Sequence, residues 1–212
     1  MGQIKNIIWD WNGTIVNDAF LFVEIMNGVL KKEGLPLISL EDYKNNFCFP
    51  ITQYWKSLGF VFSRTSFDIL NAQFIDNYKK QMFRPKLHNG IIGLFKYIKN
   101  KNIHQFVLSA SEHTLLKKSV SFYGVKGFFK AIRGVDNLNA LGKEFLGRRL
   151  CLEYQLNPQN TLLIGDTEHD VDVSVSIQTQ VLLVAFGHIS KNRLLATKQN
   201  VVDSIEDIKS FI

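Results

Sequence analysis

The sequence has few of the residues on which disulfide-rich and flexible chains depend. It contains two cysteines, Cys48 and Cys151, too few and too far apart for a disulfide framework or a Cys-x-x-Cys zinc pair. Its four prolines and fourteen glycines exclude a collagen-like or linker-dominated chain. With 46% hydrophobic and 21% charged residues among 212, the composition predicts a globular protein that is stabilised by packing.

Long apolar runs and clustered positive charge are also missing. No stretch reaches the ~18 apolar residues of a membrane span, and Trp9, Asp10 and Trp11 interrupt the region where a signal peptide needs an apolar core. We therefore expect a cytoplasmic protein with no membrane partner. The net charge is +6, but the lysines and arginines are dispersed, so no nucleic-acid partner and no obligate protein partner are inferred.

Short apolar runs alternate with helical periodicity through most of the chain. The predicted strands cover residues 4–9, 103–108, 131–132, 161–164 and 181–185. The predicted helices cover residues 18–33, 112–122 with Ser111 as the N-cap, 142–154 and 168–177, and a closing helix starts at a capping box in 204–207. Since each strand is a continuous apolar run, the sequence predicts an α/β fold with a parallel, Rossmann-like sheet covered by helices on both faces.

One region breaks this alternation. Residues 15–84 show much helical periodicity and no convincing strand, which predicts an inserted helical unit. The sheet domain would then consist of residues 1–14 and 85–212.

Acidic and hydroxyl side chains follow three of the predicted strands. Because parallel strands present their carboxyl ends at one edge, these side chains are expected to converge there. They are Asp10, Asn12 and Thr14 after the first strand, Ser109 after the second, and Asp166 and Asp170 after the strand 161–164. Each alone is also explained as a turn or cap residue. Together, three carboxylates would repel one another unless a hard divalent cation such as Mg²⁺ joined them.

The order of these motifs resembles that of the haloacid dehalogenase-like hydrolases, in the phosphoglycolate phosphatase-like branch with a helical cap after the first strand. The resemblance covers nearly the whole chain. The segment Asp10-Trp11-Asn12-Gly13-Thr14 resembles the family's first motif, Asp-x-Asp-Gly-Thr. The other three motifs are matched by Ser109, by Lys143, and by Gly165-Asp166 with Asp170.

The resemblance implies a Mg²⁺-dependent phosphatase of a small phosphorylated metabolite, working through an aspartyl-phosphate at Asp10. It implies that the phosphoryl group is bound by Thr14, Ser109, Ala110 and Lys143. It also implies a Mg²⁺ site formed by Asp10, Asn12 through its backbone carbonyl, Asp166 and Asp170. Lys130, Arg148 and Arg149 are alternatives for the cationic role of Lys143.

Asn12 departs from the family pattern, because it replaces the Asp that serves as general acid and base. An amide performs neither role, and losing such a group typically costs 10²–10⁴ in rate. Three alternatives remain open: a leaving group that needs no proton, a substitute among His113, His169 and His188, or a weakly active or noncatalytic binding protein. A dehalogenase of the same superfamily is a further alternative, which the pair Asp166 and Asp170 argues against.

Overall fold

The fold is built on a six-stranded parallel sheet, seen in a computed structural model that describes residues 3–63 and 65–212. The strands are β1 (Asn6–Trp9), β2 (Val16–Asn17), β3 (Lys86–Leu87), β4 (His104–Glu112), β5 (Ala131–Val135), β6 (Thr161–Gly165), β7 (Gln180–Val184) and β8 (Asn200–Val202). The helices are α1 (Ala19–Lys32), α2 (Leu40–Asn46), α3 (Ile51–Ser57), α4 (Phe67–Gln81), α5 (Ile91–Asn100), α6 (His113–Phe122), α7 (Lys143–Glu153), α8 (Glu168–Ile177) and α9 (Lys191–Ala196).

The large sheet has the order β5-β4-β1-β6-β7-β8, and every neighbouring pair in it is parallel. The chain leaves β1 towards β4 and β5, then crosses back to add β6, β7 and β8 on the other side. The strand order therefore reverses beside β1, the place where open parallel sheets bind ligands.

Helices cover both faces of the sheet, as the continuous apolar strands predict. Successive residues of β1 point to opposite faces, so Ile8 belongs to one apolar cluster while Ile7 and Trp9 belong to the other. All residues of β1 and β6 are buried. The predicted α/β fold class is confirmed.

The strand β1 is fixed by polar contacts of the tryptophans on either side of Asp10. The Trp9 indole donates to Gln105 Oε1 at 3.1 Å, and the Trp11 indole donates to Ser119 Oγ at 3.0 Å. Both rings are buried. Because they cannot turn without breaking these bonds, they hold the backbone from which Asp10 projects.

The structure corrects three predictions. The closing helix predicted at the capping box in 204–207 is a 3₁₀ helix, Asp207–Phe211, which follows the bonded pair Ser204 and Asp207. Residues 15–84 contain a strand, β2, which pairs antiparallel with β3 where the chain leaves and re-enters the sheet domain. The N-cap of α6 is Glu112 and not Ser111, because β4 continues through Glu112, whose carboxylate accepts the backbone N–H groups of Thr114 and Leu115. Within residues 3–63 and 65–212, no helix combines the length and apolar character needed to cross a bilayer.

Candidate active site

The candidate site lies at the carboxyl ends of β1, β4 and β6. Asp10 directly follows β1, Asp166 directly follows β6, and Ser109 lies in the second half of β4. Because β1 pairs with β4 on one side and with β6 on the other, the three residues are neighbours along one edge. Residues far apart in the chain are thus brought together by strand pairing.

Lys143 connects two of the carboxylates. Its Nζ donates to Asp10 Oδ1 at 2.5 Å and to Asp170 Oδ1 at 2.6 Å. Lys143 is the first residue of α7, where a positive charge opposes the helix dipole, and it is only 2% exposed. The two carboxylates offset this unfavourable position, so the three side chains form one buried ion cluster.

Asp166 and Asp170 are each oriented by fixed donors. Asp170 is the third residue of α8, and its Oδ2 accepts the N–H groups of Asp166 and Thr167 at 3.2 and 3.0 Å and the Thr167 hydroxyl at 2.8 Å. Asp166 accepts the Thr14 hydroxyl at 2.9 Å and the backbone N–H of His188 at 2.6 Å. Neither carboxylate can rotate without losing bonds to donors that are themselves buried.

Glycines leave the space that these carboxylates occupy. A Cβ atom at Gly165 would collide with the carboxylate of Asp170, and one at Gly13 or Gly187 would collide with that of Asp166. Gly13 also has φ +77°, a conformation that residues with a side chain rarely adopt. The backbone therefore forms a cradle that only glycine permits.

The cluster has more negative than positive charge, and its pKa values reflect this. Burial raises the pKa of Asp10 to about 7 despite the opposing charge of Lys143, and burial raises the pKa of Asp166 to about 6. Burial alone would also raise the pKa of Asp170, but the charge and hydrogen bond of Lys143 outweigh it and lower that pKa. One lysine cannot neutralise three buried carboxylates, so a further cation is favoured there.

The donor set fits Mg²⁺. Asp10, Asp166 and Asp170 offer oxygen atoms that lie within 4.8 Å of one another, and all three residues are buried. Carboxylate oxygens are the ligands that hard divalent cations take in proteins. The oxygens of Asp10 and Asp170 that bond to Lys143, and the oxygen of Asp166 that bonds to Thr14, each accept one hydrogen bond and keep a further lone pair.

Asn12 is held by three side chains. Its Nδ2 donates to Asp18 Oδ2 at 2.5 Å and to the Tyr78 hydroxyl at 2.9 Å, and its Oδ1 accepts the Ser111 hydroxyl at 2.6 Å. Its amide is therefore fixed in place between α1, α4 and β4. Sequence reasoning identified Asn12 but none of these partners.

Asp18 is the main site residue that sequence reasoning missed. It precedes α1 and is fully buried, yet its carboxylate does not cap that helix. Its Oδ1 accepts the N–H of Gly13 at 2.9 Å and lies 3.1 Å from His188 Nε2. The other imidazole nitrogen, Nδ1, lies 2.7 Å from the Tyr43 hydroxyl. Burial lowers the pKa of His188, but the hydrogen bond and charge of Asp18, together with the charges of Asp166 and Asp10, outweigh it and raise that pKa. An Asp before a helix resembles an ordinary cap, so the sequence contains no signal for this role.

The three histidines considered as substitutes for the missing acid have different surroundings. His113 accepts the N–H of Gly134 at 3.2 Å and does not line the pocket described below. His169 lines that pocket and lies 2.9 Å from Glu144 Oε1. His188 also lines it, bonded within the network just described. Whether any of them transfers a proton stays a prediction.

The structure places only some of the residues assigned to phosphoryl binding in the pocket. Ser109 and Ala110 line the pocket beside Asp10, and Ser109 Oγ accepts the N–H of Ser111 at 3.1 Å. Thr14 lies behind Asp166, where its hydroxyl is used, so its contact with substrate stays a prediction. The alternatives to Lys143, which are Lys130, Arg148 and Arg149, are exposed and do not line the pocket.

A pocket of about 150 Å³ opens beside Asp10 and is lined largely by aromatic rings. These rings come from α1, α2, α3, α4 and the loop between α2 and α3, and we refer to them as the aromatic wall. The aromatic wall consists of Phe22, Tyr43, Phe47, Phe49, Tyr54, Trp55, Phe74 and Tyr78. It includes Phe47 and Phe49 of the loop between α2 and α3.

Comparison with known proteins agrees with this geometry. Residues 7–184 match the family model described as haloacid dehalogenase-like hydrolase. The chain is 22% identical over 207 residues to a phosphoglycolate phosphatase of Aquifex aeolicus, covering 89% of this chain and 88% of that protein. It is 21% identical over 218 residues to the pyrophosphatase PpaX of Oceanobacillus iheyensis, covering 99% and 96%.

Solved structures show the same fold. A predicted phosphatase of Clostridium acetobutylicum superimposes with a TM-score of 0.84 at 20% identity, covering 98% of this chain and 97% of that one. A haloacid dehalogenase-like family protein of Streptococcus pneumoniae superimposes with a TM-score of 0.75 at 19% identity, covering both chains completely. With the family model spanning the motifs from β1 to β7, the chain belongs to the haloacid dehalogenase-like hydrolases.

Proposed function

We propose that the protein is a Mg²⁺-dependent phosphatase of a small phosphorylated molecule that works through an aspartyl-phosphate on Asp10. The observation that carries the proposal is the buried cluster of Asp10, Asp166 and Asp170 around Lys143 beside the pocket. The names of the two relatives, a phosphoglycolate phosphatase and a pyrophosphatase, support phosphate ester or anhydride hydrolysis.

The residues divide the work according to their positions. Asp10 lines the pocket and attacks phosphorus, while Lys143 holds its carboxylate and offsets the charge of the incoming phosphate. Ser109 and the backbone around Ala110 bind phosphoryl oxygens. Asp10, Asp166, Asp170 and the carbonyl of Asn12 would hold Mg²⁺, whose charge lets one anion approach another.

The helical segment 15–84 serves in this proposal as a cap over the site. Its helices α1 to α4 supply the aromatic wall, and residues 1–14 and 85–212 supply the carboxylates and Lys143. Excluding water from the pocket strengthens the electrostatic interactions inside it.

The test combines turnover with trapping of the intermediate. We expect Asp10→Asn to lower phosphatase activity by about 10³-fold or more, because an amide is a poor nucleophile. Asp172→Asn removes an exposed carboxylate of α8 and serves as the matched control, with activity unchanged. Acid-quenched wild-type protein should carry a phosphoryl group on Asp10 in Mg²⁺ and none with chelator. Full activity in Asp10→Asn would exclude the mechanism.

A noncatalytic binding protein is the second candidate, and the bonding of Asn12 favours it. With its amide fixed between Asp18, Tyr78 and Ser111, position 12 offers no proton to a leaving group. A protein of this kind would bind a phosphorylated ligand with Mg²⁺ but show no turnover and no phosphorylated Asp10. A dehalogenase, by contrast, would be indifferent to chelators.

A further inference from the structure

The aromatic wall forms a continuous apolar surface beyond the phosphate end of the pocket. Phe22 and Phe74 have ring centroids 5.6 Å apart, and Phe47 and Phe49 have centroids 5.3 Å apart. Met26 and Ile75 line the same space between aromatic rings. The group attached to the phosphate therefore enters apolar surroundings.

Among the described residues, no lysine or arginine that lines the pocket is free to pair with a charged leaving group. Among the described residues that line it, Lys143 is the one lysine or arginine, and both Asp10 and Asp170 bind its Nζ. Glu112 adds a negative charge to the lining. A carboxylate or second phosphate on the leaving group would be buried without a partner, which is strongly unfavourable.

Few polar groups of the pocket are free for a polar leaving group. The Tyr43 hydroxyl is bonded to His188, and the Tyr78 hydroxyl accepts from Asn12. Asn71 donates to the Leu138 carbonyl at 2.9 Å. In the described part of the chain, the Tyr54 hydroxyl alone among the pocket's tyrosines is buried with no hydrogen-bond partner. A mainly apolar group fits this arrangement.

The volume of the pocket sets the size of that group. It measures about 150 Å³. Apolar cavities of roughly 150 Å³ have bound benzene. A pocket of this size favours a leaving group no larger than one ring over a nucleotide.

Asn12 restricts the chemistry of the leaving oxygen. Without a carboxylic acid at position 12, a leaving oxygen that is stable as an anion is favoured. The hydroxyl of a phenol has a pKa of about 10, as in tyrosine, whereas an alkyl alcohol has a pKa close to the 15.7 of water. A phenolic oxygen therefore leaves with much less help from a proton than an alkyl oxygen does.

From these observations we propose, resting on the phosphatase function above, that the substrate is the phosphate monoester of an apolar phenol, with one ring in the pocket. Asp10 bonds to phosphorus as the bond to the phenolic oxygen breaks, and the electron pair leaves on that oxygen. Water then attacks phosphorus, and the bond to Asp10 breaks. Of the two protons of this water, one stays on inorganic phosphate and the other reaches the phenolate.

Four substrates separate the requirement for an apolar ring from the requirement for a good leaving group. Phenyl phosphate has an apolar ring and a good leaving group, and benzyl phosphate has a ring and a poor one. Pyrophosphate has a charged, good leaving group, and 2-phosphoglycolate has a charged, poor one. With Mg²⁺ and wild-type protein, we expect phenyl phosphate to show the highest kcat/KM. Its KM should lie close to that of benzyl phosphate, and its kcat should be higher.

A variant of the aromatic wall tests whether the ring binds there. Phe49→Ala should lower kcat/KM for phenyl phosphate about tenfold, since burying a ring of this size contributes a factor of that order. Activity on pyrophosphate should fall by a clearly smaller factor, because pyrophosphate has no ring to lose contact with Phe49. Phe83→Ala is the matched control, because Phe83 is exposed and packs on Phe122 outside the pocket. It should leave both activities unchanged.

The outcomes distinguish this proposal from the phosphatase function itself. Pyrophosphate or 2-phosphoglycolate turned over as well as phenyl phosphate would overturn the aryl specificity and leave the phosphatase function intact. If no substrate is turned over, the phosphatase function fails. Calorimetry then still tests whether a ring binds in the pocket. Phenylphosphonate should bind to the wild type at least tenfold more tightly than methylphosphonate does. Equal affinities would exclude ring binding.

Discussion

Exchanging the amide of Asn12 with the carboxylate of Asp18 should convert the site into one that protonates its leaving group. The Nδ2 of Asn12 donates to Asp18 Oδ2 at 2.5 Å, while Asp18 Oδ1 serves Gly13 and His188. In the double variant Asn12→Asp, Asp18→Asn, the new amide can donate to the new carboxylate. The Tyr78 hydroxyl, which accepts from Asn12 in the wild type, then donates to the new carboxylate. The bonds of Ser111, Gly13 and His188 keep their partners, and the net charge is unchanged.

The single variant Asn12→Asp is expected to behave differently. It places two buried carboxylates in contact, and two unit charges 4 Å apart repel by about 4 kcal/mol at an effective dielectric constant of 20. The pair avoids part of this cost by sharing a proton, which raises one of its pKa values. We therefore expect the single variant to lose roughly 2–4 kcal/mol of unfolding free energy at pH 8, less at pH 5, and the double variant to regain it.

The assay compares benzyl phosphate with phenyl phosphate in the wild type, both single variants and the double variant. General acids contribute 10²–10⁴ in rate when their pKa is tuned. Since this site is not tuned, we expect the double variant to gain about tenfold or more on benzyl phosphate and little on phenyl phosphate. Equal gains on both substrates, or none, would refute a limiting proton transfer at position 12. An Asn12→Asp variant as stable as wild type at pH 8 would refute the bonding described for Asp18.

Three further predictions concern the ion cluster. Lys143→Met leaves buried carboxylates unpaired, so it should lower the unfolding free energy in chelator by about 3–5 kcal/mol. Urea unfolding measures this change, and a loss below 1 kcal/mol would contradict the prediction. Gly165→Ala should weaken Mg²⁺ binding about tenfold, because the new Cβ displaces Asp170. Gly127→Ala is the control and should not weaken it, because no atom lies near that Cβ. Calorimetry with Mg²⁺ compares the two variants. Because burial raises the pKa of Asp10 from 3.8 to about 7, the folded metal-free protein holds this proton more tightly than the unfolded chain. The Tm in chelator should therefore fall as pH rises from 5 towards 7 and then level off, and Asp10→Asn should flatten this dependence.

Much of the fold could be predicted from local patterns. A strand buried on both faces must be apolar along its whole length, so β1, β6 and β7 are visible as apolar runs. The helix α8 has the predicted bounds, 168–177, and in the structure Thr167 and Asp170 form a local cap at its start. By contrast, β2 has two residues and is defined by its pairing with β3, so no periodicity indicates it.

Some residues of the candidate site could also be predicted from the sequence. Asp10, Asp166 and Asp170 could be identified because each follows a recognisable strand or lies in the first turn of a helix, so topology alone brings them to one edge.

Only the tertiary structure decides which side chains bond to Asn12 and its neighbours and which rings line the pocket. Asp18 and His188 are 170 positions apart in the chain, and their contact depends on the packing of α1 against the loop after β7. The aromatic wall likewise joins rings from four helices and a loop, which look like ordinary core residues in the sequence. Local sequence determines which residues form strands and helices, since that depends on neighbours in the chain. Which buried polar groups find partners depends on distances that only the packed chain sets.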